Sequence, residues 1–64
     1  MKVDVSKVWV DDIYVHILTS EGVERMEAID NYERLRMAMP EQLQNFGTDN
    51  IGIHWPELDE DLSY

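Results

Sequence analysis

The side chains of this chain that could do chemistry are four carboxylates near its C-terminus and two histidines, His16 and His54. The carboxylates belong to Glu57, Asp59, Glu60 and Asp61. Carboxylate oxygens are the usual ligands of a hard cation such as calcium, but an EF-hand loop also needs alternating ligands, a central glycine and a final bidentate glutamate. The segment lacks that pattern, so we predict an acidic segment that faces solvent or a partner, and no metal site.

The two histidines suggest zinc as a second kind of metal. Each lies in a segment predicted to be a strand, and they would be close together if those strands were neighbours. Two imidazoles leave a zinc site short of ligands, which Glu57 or Asp59 would have to supply. We interpret both histidines as partly exposed strand residues. A small metal-dependent hydrolase built on them and on the carboxylates is therefore the least favoured function.

Other signatures of an enzyme are absent from the sequence. It contains no cysteine, no G-x-S-x-G motif, no glycine-rich phosphate loop and no H-E-x-x-H motif. The C-terminal carboxylates could act as an acid and base pair on a glycosidic bond, but 64 residues leave little material for a substrate cleft. We therefore predict no catalytic residue, no cofactor and no enzyme activity.

The charge of the chain is strongly acidic, with 14 Asp and Glu residues against five Lys and Arg and a formal net charge of −9 at pH 7. Such a charge disfavours direct binding to nucleic-acid phosphates and steers a protein toward basic partners, although it also serves solubility. No apolar run approaches the roughly 20 residues of a membrane span, and the N-terminus lacks the pattern of a signal peptide. We expect a cytoplasmic protein with a basic protein partner, no direct contact with nucleic acid and no membrane contact.

The first half of the chain has β-branched residues spaced mostly by two, which is typical of strands. A change of parity across Ser6-Lys7 indicates a bulge or a late strand start. Glutamates in the third predicted strand favour an edge position, and Gly22 suits a turn with positive φ. The predicted strands are Val3 to Val10, Ile13 to Thr19 and Val23 to Ile29.

The middle of the chain has the spacing of three and four that is typical of helices. Asp30 is a suitable N-cap residue, and Glu33 is placed to complete a capping box. A proline divides the segment into two short helices, Asn31 to Ala38 and Pro40 to Asn45. Gly47 is expected to end the second helix in a left-handed conformation.

A last strand is predicted from Ile51 to Trp55, and Pro56 ends it. Proline holds the residue before it extended, so the direction of the Trp55 indole is fixed. We prefer a core tryptophan that closes the sheet, and partial exposure beside Leu58 is the alternative. Because exposed Trp and Tyr are common interface hot spots, the candidate partner-binding residues are Trp55, Pro56, Glu57, Leu58, Asp59, Glu60, Asp61 and Tyr64.

These elements predict a single α+β domain over residues 1–64, in the order β-β-β-α-α-β. We expect a small antiparallel sheet with the two short helices packed on one face, and residues 57–64 as an acidic C-terminal tail. No internal repeat is apparent. A chain of this length buries only about 60% of its unfolded surface, so a partner is expected to supply part of the missing burial.

The C-terminal part carries a family resemblance. Residues 52–63, Gly-Ile-His-Trp-Pro-Glu-Leu-Asp-Glu-Asp-Leu-Ser, closely resemble the closing signature of a family of small bacterial proteins, domain-of-unknown-function family 2442. Residues 32–46 are similar to its helical segments, but Met39 stands where Thr is usual, Phe46 stands where Trp is common, and the family's Glu-Gly-Leu-Leu ending is missing. The resemblance implies a compact α+β domain without established catalytic activity, often encoded beside another small protein in an arrangement like a toxin-antitoxin pair.

We favour a binding function on these grounds. The leading hypothesis is an antitoxin-like regulatory protein that covers a basic surface on its partner with the acidic tail and adjacent aromatic residues. The alternative is an inhibitor of a nucleic-acid-binding protein or nuclease, in which spaced carboxylates imitate phosphates. A homodimer formed through an exposed sheet edge is a further alternative.

Overall fold

The fold consists of two three-stranded antiparallel sheets and two short helices, and the computed structural model describes residues 4–64. This confirms the α+β class with antiparallel strands, and the predicted order is extended by two strands, β4 and β6, that make a second sheet with β5. The strands of the first sheet are, in order, β1 (Val5–Val10), β2 (Tyr14–Thr19) and β3 (Glu24–Ala28). The helices are α1 (Glu33–Arg36) and α2 (Pro40–Leu43), and the second sheet contains, in order, β4 (Gly47–Thr48), β5 (Gly52–Trp55) and β6 (Glu60–Ser63).

The first sheet follows the alternation of its sequence. The pairing of β1 with β2 places Val8 opposite Ile17 and Val10 opposite Val15, on the face that contributes to the core. The register shifts between Val5 and Lys7, which confirms the predicted irregularity. β3 is an edge strand, as its glutamates predicted, and Gly22 has a positive φ of 86°. Val3, the predicted start of the first strand, lies outside the described residues.

The helices are shorter than predicted, and their termini differ. The Asp30 capping box was wrong, because Asp30 lies in a 3-10 turn, Ile29–Asn31, and the residue before α1 is Tyr32, whose side chain caps nothing. Pro40 begins α2 as predicted. Gly47 was also assigned wrongly: Gln44 follows the last residue of α2, and Gly47 begins β4.

One hydrophobic core lies between the two sheets and beneath the helices. Trp55 is its largest fully buried side chain, at 1% exposure, and its Nε1 donates a hydrogen bond to the carbonyl oxygen of Leu43 at 3.0 Å. The ring of Phe46 packs beside the indole with a centroid distance of 6.0 Å. The core interpretation of Trp55 is therefore confirmed. The buried hydrophobic residues are Val10, Val15, Ile17, Ile29, Leu35, Leu43, Ile53, Trp55 and Leu62.

Residues 57–64, predicted as an acidic tail, are folded, and four of them, Glu60–Ser63, form β6 of the second sheet. A 3-10 turn, Pro56–Leu58, leads into β6, which pairs with β5 so that Leu62 lies opposite Ile53 in the core. Asp61 alternates to the outer face, opposite His54. Acidic residues are poor strand formers, so the composition of this segment did not predict a strand. The burial of Leu62 in the core stabilises β6. Within residues 4–64, no helix is long and apolar enough to cross a membrane.

Candidate functional site

The predicted partner-binding residues do not form one surface. Trp55 lies in the core and is not accessible to a partner. Asp61 belongs to a cluster around His54, and Tyr64 is half-buried against the core beside β1. Glu60 is half-buried where β6 begins, and Pro56 is exposed on the 3-10 turn. Glu57, Leu58 and Asp59 remain together, next to the helices.

A groove lies between the two helices and the turn Pro56–Leu58, and we call it the helix groove. Its volume is about 550 Å³, within the range of roughly 300 to 1,000 Å³ that is typical of ligand pockets. Met37, 75% exposed, and the half-buried Leu58 give it apolar surface, while Glu33 and Glu57 contribute carboxylates. The complete lining is Glu33, Arg34, Met37, Ala38, Gln42, Glu57 and Leu58.

Two polar contacts attach the C-terminal turn to the helices. Arg34 Nη1 donates a hydrogen bond to the carbonyl oxygen of Asp59 at 2.5 Å and lies 3.4 Å from the Asp59 carboxylate. Asn45 Nδ2 donates to Oε1 of Glu57 at 3.1 Å. Asp59 has a left-handed φ of 50°, a conformation that Asp adopts more readily than most residues. These contacts hold the turn, and with it Glu57 and Asp59, beside the helix groove.

The charge beside the helix groove is predominantly negative. Arg34 is the basic residue of its lining, and it is already engaged with Asp59. Within residues 4–64, Glu33 and Glu57 form no salt bridge. An apolar surface with unneutralised carboxylates at its border is complementary to an apolar side chain flanked by Lys or Arg.

Each histidine lies between two carboxylates on the outer face of its own sheet. In the second sheet, His54 Nε2 is 2.6 Å from Oδ2 of Asp49, and its Nδ1 is 2.6 Å from Oδ1 of Asp61. In the first sheet, His16 Nε2 is 2.6 Å from Oδ2 of Asp11, and its Nδ1 is 3.2 Å from Oε2 of Glu24. The sheets thus keep the two histidines in separate clusters.

The His16 cluster is the better shielded of the two. The His16 side chain is only 11% exposed, because it stacks on the Trp9 ring with centroids 4.8 Å apart and an interplanar angle of 2°, and the edge of Tyr14 approaches it. The His54 side chain is 37% exposed. The first sheet therefore covers its histidine with aromatic rings, and the second leaves its histidine open to solvent.

The two clusters come from one short motif that occurs twice. Residues 11–16 and 49–54 share Asp, Ile and His at their first, third and sixth positions. In both, the Asp accepts hydrogen bonds from the backbone N–H groups two and three residues later and contacts the imidazole five residues later. The sequence interpretation missed this repeat, although the D-x-I-x-[VI]-H spacing is a visible signal.

These contacts set the protonation of the histidines. Both ring nitrogens can donate only from an imidazolium. The hydrogen bond to Asp11 is the main contact that raises the pKa of His16. Hydrogen bonds to Asp61 and, to a smaller extent, Asp49 raise the pKa of His54. The His16 contact, with the Tyr14 and Ile13 amides, lowers the pKa of Asp11 to about 2. The Ile51 and Gly52 amides, followed by His54, lower the pKa of Asp49.

The same geometry is unsuited to a metal. The carboxylates of each cluster contact opposite nitrogens of one ring, so a cation bound to either nitrogen would meet only one of them. Among residues 4–64, no group of three His, Cys, Asp or Glu side chains has an arrangement that could hold a metal ion. Each cluster therefore forms ion pairs between a protonated histidine and two carboxylates of the same sheet.

The raised histidine pKa values predict a loss of stability as the pH rises above 6.5. The stabilisation is complete below the unfolded value of 6.5 and disappears as the pH rises through the folded pKa values. Asp11 and Asp49 act in the opposite sense: their contribution is present above 3.8 and is lost as the pH falls, for Asp11 toward about 2.

Thermal unfolding across a pH series measures this dependence. We expect the highest midpoint between about pH 4 and 6.5 and a decline above it. The midpoint of the double variant H16Q/H54Q should fall less as the pH rises above 6.5, because glutamine has the charge of neutral histidine and does not titrate. An equal alkaline decline in both proteins would contradict the charged-histidine account.

Comparison with known proteins gives a family and a fold. A family model described as "Protein of unknown function (DUF2442)" matches residues 5–64. The crystal structure of a protein of unknown function from Rhodospirillum rubrum ATCC 11170 is similar to this structure, with a TM-score of 0.81 and 24% sequence identity, over 98% of this chain and 81% of that chain. At this identity the likeness concerns the fold alone. No curated protein matches the chain.

Proposed function

The chain belongs to the DUF2442 family of proteins of unknown function, and we propose that it is a cytoplasmic protein-binding domain that acts as the antitoxin-like partner of a small basic protein. The observation that carries this proposal is the helix groove, which is lined by the exposed Met37 and the half-buried Leu58 together with Glu33 and Glu57. The net charge of −9 supports the same class of partner.

Each part of the helix groove has a separate role in this proposal. Met37 is a flexible, polarizable side chain that adapts to the shape of an inserted apolar residue. Glu33 and Glu57 attract the Lys or Arg residues beside that apolar residue and raise the rate of encounter. Arg34 holds the turn at Asp59, so the groove keeps its shape before binding and less ordering is required on association.

Charge-neutralising variants test the proposed groove. The double variant E33Q/E57Q removes two carboxylates but keeps their size and hydrogen-bond acceptors. We expect it to weaken binding of the partner by about twofold to thirtyfold, since exposed charge pairs contribute roughly 0.2 to 1 kcal/mol each and two of them are removed. The matched control is D12N/E21Q, which makes the same change in net charge at exposed turns of the first sheet.

Affinity capture from the native cytoplasm supplies the partner for this comparison. Wild type and the control should retain one stoichiometric basic protein that E33Q/E57Q retains less. Equal weakening by both double variants would indicate a general charge effect and contradict a role for the helix groove. Displacement of the chain from its partner by DNA would indicate the alternative, a nucleic-acid-mimicking inhibitor.

A further inference from the structure

A second groove, of about 410 Å³, lies where the first and second sheets meet. One side is formed by β1 and the residue before it, and the other by β4 and the hairpin that follows it. Both strands are edges of their sheets. We call it the edge groove, because two open strand edges face the same space.

The register of β1 identifies its outward-facing backbone groups. Asp11 N–H donates to the Tyr14 carbonyl at the hairpin, so the backbone N–H and carbonyl groups of Asp11 and Trp9 point toward β2. Those of Val8 and Val10, which alternate with them, point away from β2. The Val10 carbonyl confirms this direction, because it accepts a hydrogen bond from Gln44 Nε2 at 2.8 Å. Among residues 4–64, the N–H and carbonyl of Val8 have no hydrogen-bond partner in that direction.

The same reasoning applies to β4. Asp49 N–H donates to the Gly52 carbonyl at 3.0 Å, so Asp49 faces β5 and the preceding residue, Thr48, directs its backbone groups away from β5. Thr48 lines the edge groove opposite the side that includes Val8. As far as residues 4–64 are concerned, each side of the edge groove therefore offers a backbone amide and carbonyl without a hydrogen-bond partner.

The side chains around the edge groove leave it accessible and set its preference for charge. Half-buried Val5, Val8, Phe46 and Tyr64 pack against the core and form its apolar surface. Lys7, a residue type that often protects an edge strand, is part of the lining, and its Nζ lies over the Trp9 ring, 5.2 Å from the ring centroid. Asp4 and Asp49 place carboxylates at the border. That of Asp49 is already bound to His54 and to two backbone N–H groups, so Asp4 carries the charge offered to a partner.

We propose that the edge groove binds an extended segment of the basic partner, which adds as a strand between the free edges of β1 and β4. Main-chain hydrogen bonds to an edge give affinity in this mode of recognition, and pockets for alternate side chains give specificity. Apolar side chains of the segment would face Val5 and Val8, and a Lys or Arg residue would face Asp4. The inference rests on the proposed function, since that function identifies the partner as a basic protein.

A synthetic peptide of alternating lysine and valine is the probe. Amide hydrogen exchange of the full chain, followed residue by residue by NMR, should show the Val8 and Thr48 amides exchanging about a hundredfold more slowly when free peptide is about 100 times its Kd. A peptide of alternating glutamate and valine is the charge control and should give no protection. No binding by the lysine peptide, or changes at Met37 and Glu57 without protection of Val8 and Thr48, would overturn the proposal.

A proline variant tests the backbone contact directly. T48P removes the outward N–H, and proline is tolerated in an edge strand when its missing N–H would face solvent. We expect T48P to bind the lysine peptide about tenfold more weakly, the effect of roughly one backbone hydrogen bond. T48V is the matched control, because it also loses the hydroxyl but keeps the N–H. Equal affinity of the two variants would overturn the proposal.

Two further results separate the explanations. Protection of Val8 and Thr48 that increases with protein concentration without peptide, together with a dimer in sedimentation, would identify a second copy as the occupant and overturn the partner-segment proposal. E33Q/E57Q changes no residue of the edge groove. Failure of the capture experiment and failure of the exchange experiment are therefore distinguishable.

Discussion

W55A is expected to destabilise the domain by about 3 to 5 kcal/mol, the usual cost of removing a large buried aromatic side chain. Trp55 is 1% exposed, contacts Phe46, and donates its indole N–H to the Leu43 carbonyl. It therefore joins β5 to the C-terminal end of α2. Small domains have only a few kcal/mol of net stability, so W55A should be largely unfolded at room temperature.

The control for this prediction is W55F. It keeps an apolar ring in the core but leaves the Leu43 carbonyl without its donor, at a cost of about 1 to 3 kcal/mol for the unsatisfied group in addition to lost packing. Urea denaturation followed by far-UV circular dichroism measures all three proteins without relying on tryptophan emission. Wild-type stability in W55A would contradict the assignment of Trp55 to the core.

G52A is expected to cost about 2 to 3 kcal/mol, because there is no space for a methyl group at this position. A Cβ on Gly52 would overlap the backbone carbonyl oxygen of Leu62 on the paired strand β6. Neither atom belongs to a flexible side chain, so β5 and β6 would have to separate. Separation would also displace Leu62 from the core.

The same sheet provides a matched control at Gly47. A Cβ there would have no atom within 4 Å, and Gly47 has no positive φ. G47A is therefore expected to be neutral or stabilising by up to about 1 kcal/mol, through a less flexible unfolded chain. Similar urea midpoints for G52A and G47A would contradict the close approach of β5 and β6.

The strands and helices that the sequence predicted well are those with a clear local period. Alternating β-branched residues predicted β1 and β2 to within a few residues, and spacings of three and four predicted both helices. Two strands were missed for physical reasons. β4 has only two residues, Gly47 and Thr48, and no period can appear in so short a segment. β6 is acidic, and its place in the sheet depends on the long-range packing of Leu62.

The candidate site was predicted only in part. The C-terminal residues Glu57 and Leu58 do line the helix groove, but Glu33 and Met37 were assigned to a helix without any expectation that it would lie beside them. That neighbourhood is created by the folding of the chain after Trp55. The histidine clusters were missed for a different reason: the repeated D-x-I-x-[VI]-H spacing was present in the sequence and was not recognised.

The two copies of this motif give each sheet the same local construction. Each begins at a hairpin whose Asp binds two backbone N–H groups, and each places a His between that Asp and a carboxylate of the third strand. Four of the 14 carboxylates are thereby paired with imidazole. The carboxylates beside the helix groove are not among them, so the charge offered to a partner stays available.

The association rate of the chain with its captured partner, measured over a series of salt concentrations, tests the central claim most directly. We predict that the rate constant falls steeply as ionic strength rises while the dissociation rate changes little, because exposed charges steer encounter and packing at Met37 and Leu58 slows release. E33Q/E57Q should show a shallower salt dependence than D12N/E21Q. An association rate that does not vary with ionic strength would contradict an acidic surface built to bind a basic protein.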